Sequence, residues 1–425
     1  MLNILLKSYF LFLPLHVFGF EVGKYVFNIP TIISIIIVIV RVAEFSKFNI
    51  FELKIFIPLL LFITWSLLTV IYNDLGWSWI YSMGSLILMC LPAFFTYNSR
   101  HLSGLTKYII LGFILTIPFS IYDLSVTLFN VQPIGYGSDL FHFTQSAITG
   151  GYYRIRSTFD EPSFYAAYLC AVLNFIIGTK YQKNKYLFYS IIILLILTLS
   201  LTGYFLLVYL LYFHKRIKYK TKAKHVYVVV VLFVLYSSFF SSEVQHVYDR
   251  IINTYDSLLE YNVLGSEGSR INSLTVLFKY YQDDSSSILF GEGYSNHENW
   301  LEKKFEGYRD GPSVSFARGA IHNVFGGIGI STGVIGLILY LNIFVAMYRN
   351  RIVDKDSLIL LILIQFSYSQ IVGYLIWGIM LMFRYKKMCL PEFSQSNKGV
   401  LQLSRDRSLS ERVPTGTEPL GCEND

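Results

Sequence analysis

Charge is scarce in this sequence. Asp, Glu, Lys and Arg make up 15% of the 425 residues, whereas 54% are hydrophobic. A water-facing globular surface needs about a quarter charged residues, which excludes a soluble globular protein of this length. Cysteine is scarcer still, with four in all. Cys90 and Cys170 lie inside apolar runs, Cys389 follows the last run and Cys422 is in the tail, so a disulfide framework is excluded. No His/Cys spacing has the form of a zinc site, and there is no internal repeat. A small-residue cleavage site is also missing after the apolar stretch 1–20, which contains Lys7; that stretch is expected to be a retained first helix.

What the sequence has is apolar length and aromatic rings. Phe and Tyr number 35 and 33, a composition suited to aromatic belts at membrane interfaces. Runs long enough for a spanning helix, about 20 residues each, cover roughly 2–20, 27–43, 54–72, 77–97, 107–129, 161–179, 225–241 and 321–348. Two others, 186–213 and 356–383, are long for one crossing and short for two. The first is interrupted at Ser200-Leu201-Thr202-Gly203 and the second at Ser367-Tyr368-Ser369-Gln370.

Lysine and arginine sort the connectors. The net charge of +7 lies mostly in short links between apolar runs, where it sets orientation and does not point to nucleic acid. Lys180, Lys183 and Lys185 precede the 186–213 stretch, and Lys215, Arg216 and Lys218 follow it, so both flanks prefer the cytoplasm. Arg349 and Arg351 before the second stretch, and Arg384 and Lys386 after it, demand the same parity. Each stretch is therefore expected to be two short helices or a hairpin. The fold class expected is an all-α integral membrane protein with about twelve transmembrane helices and one large periplasmic loop domain. Helices fill 1–129, a loop follows at 130–160, more helices fill 161–241, the large loop is 242–320, and the last helices occupy 321–390. The polar tail 391–425 is expected to be disordered.

Three clusters fall on the expected outer side. Arg154 and Arg156 stand just ahead of a helix start at Asp160-Glu161-Pro162, where Asp160 can cap and Pro162 suits the first turn. Guanidinium groups beside a helix N-terminus can bind phosphate bidentately, or they can snorkel to lipid headgroups. The second cluster is Gly268-Ser269-Arg270 with Phe290-Gly291-Glu292-Gly293-Tyr294, a turn that admits close backbone approach. The third is Ile321-His322-Asn323, opening a run in which Gly326, Gly329, Gly333 and Gly336 share one helical stripe. A histidine there can serve as a base near neutral pH, or simply hold a backbone partner at the interface. Phosphate-binding cations and a base on one membrane face are the parts a transferase acting on lipid-linked phosphate substrates needs.

Taken in order, these motifs resemble the bacterial O-antigen polymerase and O-antigen ligase family of membrane glycosyltransferases. The resemblance covers roughly 150–350: Arg-x-Arg-x-x-Phe-x-Glu-Pro, Ser-x-Thr-Gly, Gly-Ser-Arg, Phe-Gly-x-Gly and His-Asn. Many relatives place an arginine after the serines of the broken segment, where this chain has Thr202-Gly203. The resemblance implies an undecaprenyl-diphosphate-linked glycan donor and acceptor, handled at the periplasmic face of the inner membrane without metal or other cofactor. Carried over, Arg156 and Arg270 bind the diphosphate, Arg154 assists and His322 is the general base. Glu161 and Glu292 are rival bases, supported by Asn323, Gly291 and Gly293. Polymerisation of surface polysaccharide in lipopolysaccharide biosynthesis is the first expectation, with membrane lipid and a chain-length regulator protein as candidate partners. Ligation to the lipid A core, or a lipid-linked-oligosaccharide flippase, are the alternatives.

Overall fold

The computed structural model describes residues 1–15, 18–22, 25–43, 50–73, 75, 79–95, 97, 99–129, 148–149, 152–159, 161–177, 179–213, 276–278, 280–282, 287–294, 296–297, 300–301, 323–366 and 374–388. Twelve α-helices account for most of these: α1 (Leu2–Phe12), α2 (Ile29–Ala43), α3 (Ile50–Tyr72), α4 (Trp79–Phe94), α5 (Ser99–Leu102), α6 (Leu105–Phe129), α7 (Pro162–Ile176), α8 (Lys185–Leu197), α9 (Leu201–Val208), α10 (Val324–Arg349), α11 (Lys355–Gln365) and α12 (Tyr374–Met388). A 3₁₀ turn at Lys180–Lys183, a π-helical turn at Tyr209–Phe213 and two short antiparallel hairpins complete the set. One pairs β1 (Gly19–Val22) with β2 (Tyr25–Asn28), and the other pairs β3 (Ile148–Thr149) with β4 (Tyr152–Tyr153). Among the described residues two helices are long and apolar enough to cross a membrane, Leu105–Val126 within α6 and Val324–Arg349.

The N-terminal run differs from the single helix expected over 2–20. Helix α1 stops at Phe12, and the chain enters the β1–β2 hairpin at Gly19. Pro14 accounts for the stop: Leu13 still has helical φ −49° and ψ −40°, but proline has no N–H with which to continue the ladder to the Phe10 carbonyl. Eleven residues of helix span only ~16 Å, about half a bilayer core.

Helix α7 sits at the centre. Every residue from Pro162 to Ile176 is buried, and the helix is apolar all round, the pattern of a helix enclosed by others. Helices α6, α8, α9, α11 and α12 pack around it, while α3 runs along α10. Its one interior amide, Asn174, donates to Ser357 Oγ (2.8 Å) and accepts from Lys386 Nζ at Oδ1 (3.0 Å).

Polar contacts gather at two ends of the bundle. At one end Asn3 donates to the carbonyls of His101 and Ser103, and the Arg41 guanidinium lies 5.6 Å from the Phe95 ring centroid. There Arg384 also donates to the carbonyls of Ala93 (2.9 Å) and Phe95 (2.6 Å), satisfying the C-terminus of α4. At the other end Thr158 bonds Pro14, Phe18 meets Phe119 edge-on, and Asn73 and Thr69 of α3 bond residues 291 and 294.

Candidate functional site at two broken helices

The first break separates α8 from α9. Thr198 ends α8 in helical conformation, Leu199 turns left-handed at φ 49°, and Ser200 caps α9 by accepting from the Gly203 amide (3.2 Å). Side chains satisfy the carbonyls this exposes. Arg154 donates from Nη2 to the Leu199 carbonyl (3.0 Å), Tyr204 reaches back to Ile196 (2.8 Å) and Thr198 bonds Leu195 (2.7 Å). The interruption expected at 200–203 therefore falls at 198–200, and it is enclosed in protein, as freed backbone in an apolar medium requires.

Arg154 belongs to a loop, 154–159, that leads directly into α7 and is buried throughout. Arg154 is 7% exposed and Arg156 only 1%. The loop is tied down from outside itself. Asp123 of α6 accepts from two successive amides on one oxygen, Arg156 N at 2.9 Å and Ser157 N at 2.7 Å from Oδ2. The left-handed Ser157 (φ 56°) lets these amides converge into an anion-holding nest. Ser157 Oγ donates to the Thr116 carbonyl (2.8 Å), and Thr158 Oγ1 donates to the Pro14 carbonyl (2.6 Å). The N-cap position of α7 is Glu161, with Pro162 at the first helical position. Glu161 makes no side-chain cap; it accepts from Ser163 Oγ (2.9 Å). The cap expected from Asp160 concerns a residue outside those described.

The second break lies inside α10. Gly333 has φ 69° and ψ −174°, so two helical halves meet there. An unbroken helix would join the Val334 amide to the Ile330 carbonyl. Here both groups turn to the 287–294 segment: Glu292 N donates to Ile330 O (2.9 Å), and Val334 N donates to Ile288 O (2.8 Å). One helical bond is exchanged for two between segments, so neither the Val334 amide nor the Ile330 carbonyl is orphaned. Contact is so close that a Cβ on Gly333 would lie 2.2 Å from the Leu289 carbonyl oxygen, and one on Gly291 (φ 69°) 2.5 Å from Gly333 N. The glycine stripe expected to admit a helix or a lipid chain thus admits, at Gly333, a turn of the same chain.

Aromatic and polar groups secure that turn. Phe290 stacks between Trp65 (4.9 Å) and Tyr72 (4.6 Å) of α3, and Trp65 donates to the Thr332 carbonyl (2.9 Å). Asn73 donates to the Gly291 carbonyl (3.1 Å), and Thr69 Oγ1 accepts from Tyr294 N (3.2 Å). Glu292 accepts from Tyr280 (3.0 Å). His297 Nδ1 lies 3.0 Å from Ser331 Oγ, and burial pulls its pKa down to about 4, which keeps the ring neutral near pH 7.

Of the residues singled out in the sequence, Arg154, Arg156 and Glu161 come together on α6, α7 and the α8–α9 break. Gly291, Glu292 and Gly293 come together on α3 and α10. Asn323 is the N-cap of α10, accepting from Phe325 N (2.8 Å) and Gly326 N (3.2 Å). Arg270 and His322 lie outside the described residues, as does most of 242–320. Sequence reasoning passed over Asp123, although it is the one charged residue in the apolar run 108–129, and a carboxylate in such a run is a signal of its own. It also passed over His297 and the α3 side chains, which no local pattern marks. Among the described residues no group of three or more His, Cys, Asp or Glu side chains is placed to share a metal ion. Compared with known proteins, the chain matches no family model and no curated relative.

Proposed function

We propose that this chain is a many-span bacterial inner-membrane glycosyltransferase that joins undecaprenyl-diphosphate-linked repeat units at the periplasmic face, an O-antigen polymerase. The observation that carries this reading is the buried arginine loop: two arginine residues, 7% and 1% exposed, directly before the N-terminus of the central helix. Cations held there without an exposed surface suit a compact anion such as a diphosphate. The many-span topology rests on how the connectors sort. Arg41, Arg384, Lys386 and the 101–103 turn, all assigned inside by the positive-inside rule, share contacts at one end of the bundle. The arginine loop and the 287–294 turn make theirs at the other.

In this reading the acceptor hydroxyl oxygen forms a bond to the donor's anomeric carbon as the bond to undecaprenyl diphosphate breaks. Arg156 and Arg270 neutralise the leaving diphosphate, Arg154 assists, and His322 takes the hydroxyl proton. A ligase using lipid A core as acceptor would need the same parts. Burial of Arg154 and Arg156 among helices also suits a lipid-linked-oligosaccharide flippase, whose cations face an interior cavity. Deleting the gene and resolving surface polysaccharide on a gel separates the three. Single-repeat chains on the core are the expected result. Lipid-linked polymer left off the core indicates a ligase, and repeat units stranded on the cytoplasmic leaflet indicate a flippase. Arg156→Lys is expected to remove most long chains, since lysine cannot offer two donors in one plane.

A further inference from the structure

We propose that Asp123 is the positioning residue of the anion site, holding the arginine loop in register through the placement of its carboxylate oxygen rather than through its charge. This rests on the reading of Arg154 and Arg156 as the diphosphate-binding pair. Asp123 is 3% exposed on a helix whose surrounding residues, 108–129, are otherwise uncharged. A carboxylate in such a place is costly unless its oxygens are well bonded. The Arg156 and Ser157 amides supply that bonding, and both reach the same oxygen, Oδ2. The amide of Arg156 itself is therefore fixed to α6, and the left-handed Ser157 follows from the same anchor. The chain then passes through Thr158, pinned on Pro14, to the start of α7. Both backbone ends of the Arg156 side chain's platform are thus set by one atom on a neighbouring helix.

A carboxylate acting by charge and one acting by position make opposite predictions. Asn keeps an acceptor oxygen at the same distance along the side chain and removes the charge. Glu keeps the charge and carries the oxygen ~1.5 Å farther out, about one carbon–carbon bond. Full-length protein in lipid nanodiscs is titrated with undecaprenyl diphosphate, for wild type, Asp123→Asn, Asp123→Glu, Asp123→Ala and Arg156→Gln, with size-exclusion profile and thermal melting recorded for each. Asp123→Glu is expected to weaken binding roughly tenfold to a hundredfold, the scale of a displacement of about 1 Å in a binding constellation. Asp123→Asn is expected to return to within about threefold of wild type, because the amide oxygen still accepts from both N–H groups. Wild-type affinity in Asp123→Glu together with loss in Asp123→Asn overturns the proposal in favour of a charge role. Wild-type affinity in a well-folded Asp123→Ala overturns it outright. If Asp123→Ala does not fold, the Asn and Glu pair decides. Arg156→Gln separates the two levels: undiminished binding there removes the arginine-site reading and this proposal with it. Loss in Arg156→Gln beside normal binding in the Asp123 variants removes only the positioning role.

Discussion

Among the described residues two helical runs are broken, and they are repaired by different means. At 198–200 side chains close the gap: Arg154, Thr198 and Tyr204 take the carbonyls, and Ser200 supplies a cap. At Gly333 the two exchanged bonds are made by backbone, with Ile288 and Glu292 standing in for the partners that Ile330 and Val334 give up, while Trp65 and Tyr281 add side-chain donors to the neighbouring carbonyls of Thr332 and Gly329. A side-chain repair can be shared among several residues and lost in increments. A backbone repair needs two main chains in contact, so it tolerates no Cβ at the joint. The first kind brings a cation to a helix end; the second welds a distant turn to a helix.

The sharpest way to break this comparison is to add one carbon at the joint. Gly333→Ala or Gly291→Ala places a Cβ within 2.5 Å of opposing backbone at a left-handed φ, and both are expected to lower stability by about 3 kcal/mol or more. Thermal melting in detergent, with the yield of monodisperse protein, reads this directly; stability within experimental scatter of wild type would show the joint to be loose. At the other break Arg154→Met should cost less, about 2 kcal/mol, since one buried carbonyl loses a charged donor. Arg154→Lys should recover much of that, because a single N–H is enough for a carbonyl. Ser200→Ala comes next, with about 1 kcal/mol expected for a lost N-cap.

A further effect is reversible and concerns His297. Histidine ordinarily titrates near 6.5; held at about 4 when docked against Ser331, its ring takes up a proton less readily than in the undocked loop. Docking is therefore at full strength above pH 6.5, weakens as pH falls from 6.5 towards 4, and changes no further below that. Fluorescence of Trp65 and Trp300, which flank the turn and its continuation, should follow that course in wild type. In His297→Gln the slope should vanish; a slope that persists would assign it to another group.

Much of the helical layout was legible in hydropathy. The runs 27–43, 77–97, 107–129 and 161–179 correspond to α2, α4, α6 and α7 within a few residues. Long apolar stretches bounded by polar turns leave the backbone little choice in a medium without water. The β1–β2 hairpin was hidden because Phe20, Val22 and Val26 are as apolar as helix residues, and only Pro14 marked the stop. The Gly333 break was hidden for a different reason: glycine in a stripe permits a close helix, a kink or a docked loop alike, and the choice depends on a partner some forty residues earlier in the chain, beyond the reach of any local pattern. The arginines of the loop at 154–159 were visible because charge is rare here. Their anchor was less so, since nothing local links Asp123 to residues 33 and 34 positions later.

The exchanged bond in α10 has a consequence for amide hydrogen exchange. In a continuous helix the Val334 proton would be shielded by its own turn and would report on nothing beyond it. Here its shield is the Ile288 carbonyl. The exchange rate of this single mid-helix amide is therefore a clock for the undocking of a loop that belongs to another part of the chain, and opening of the loop is timed by a proton that never leaves the helix until the loop does.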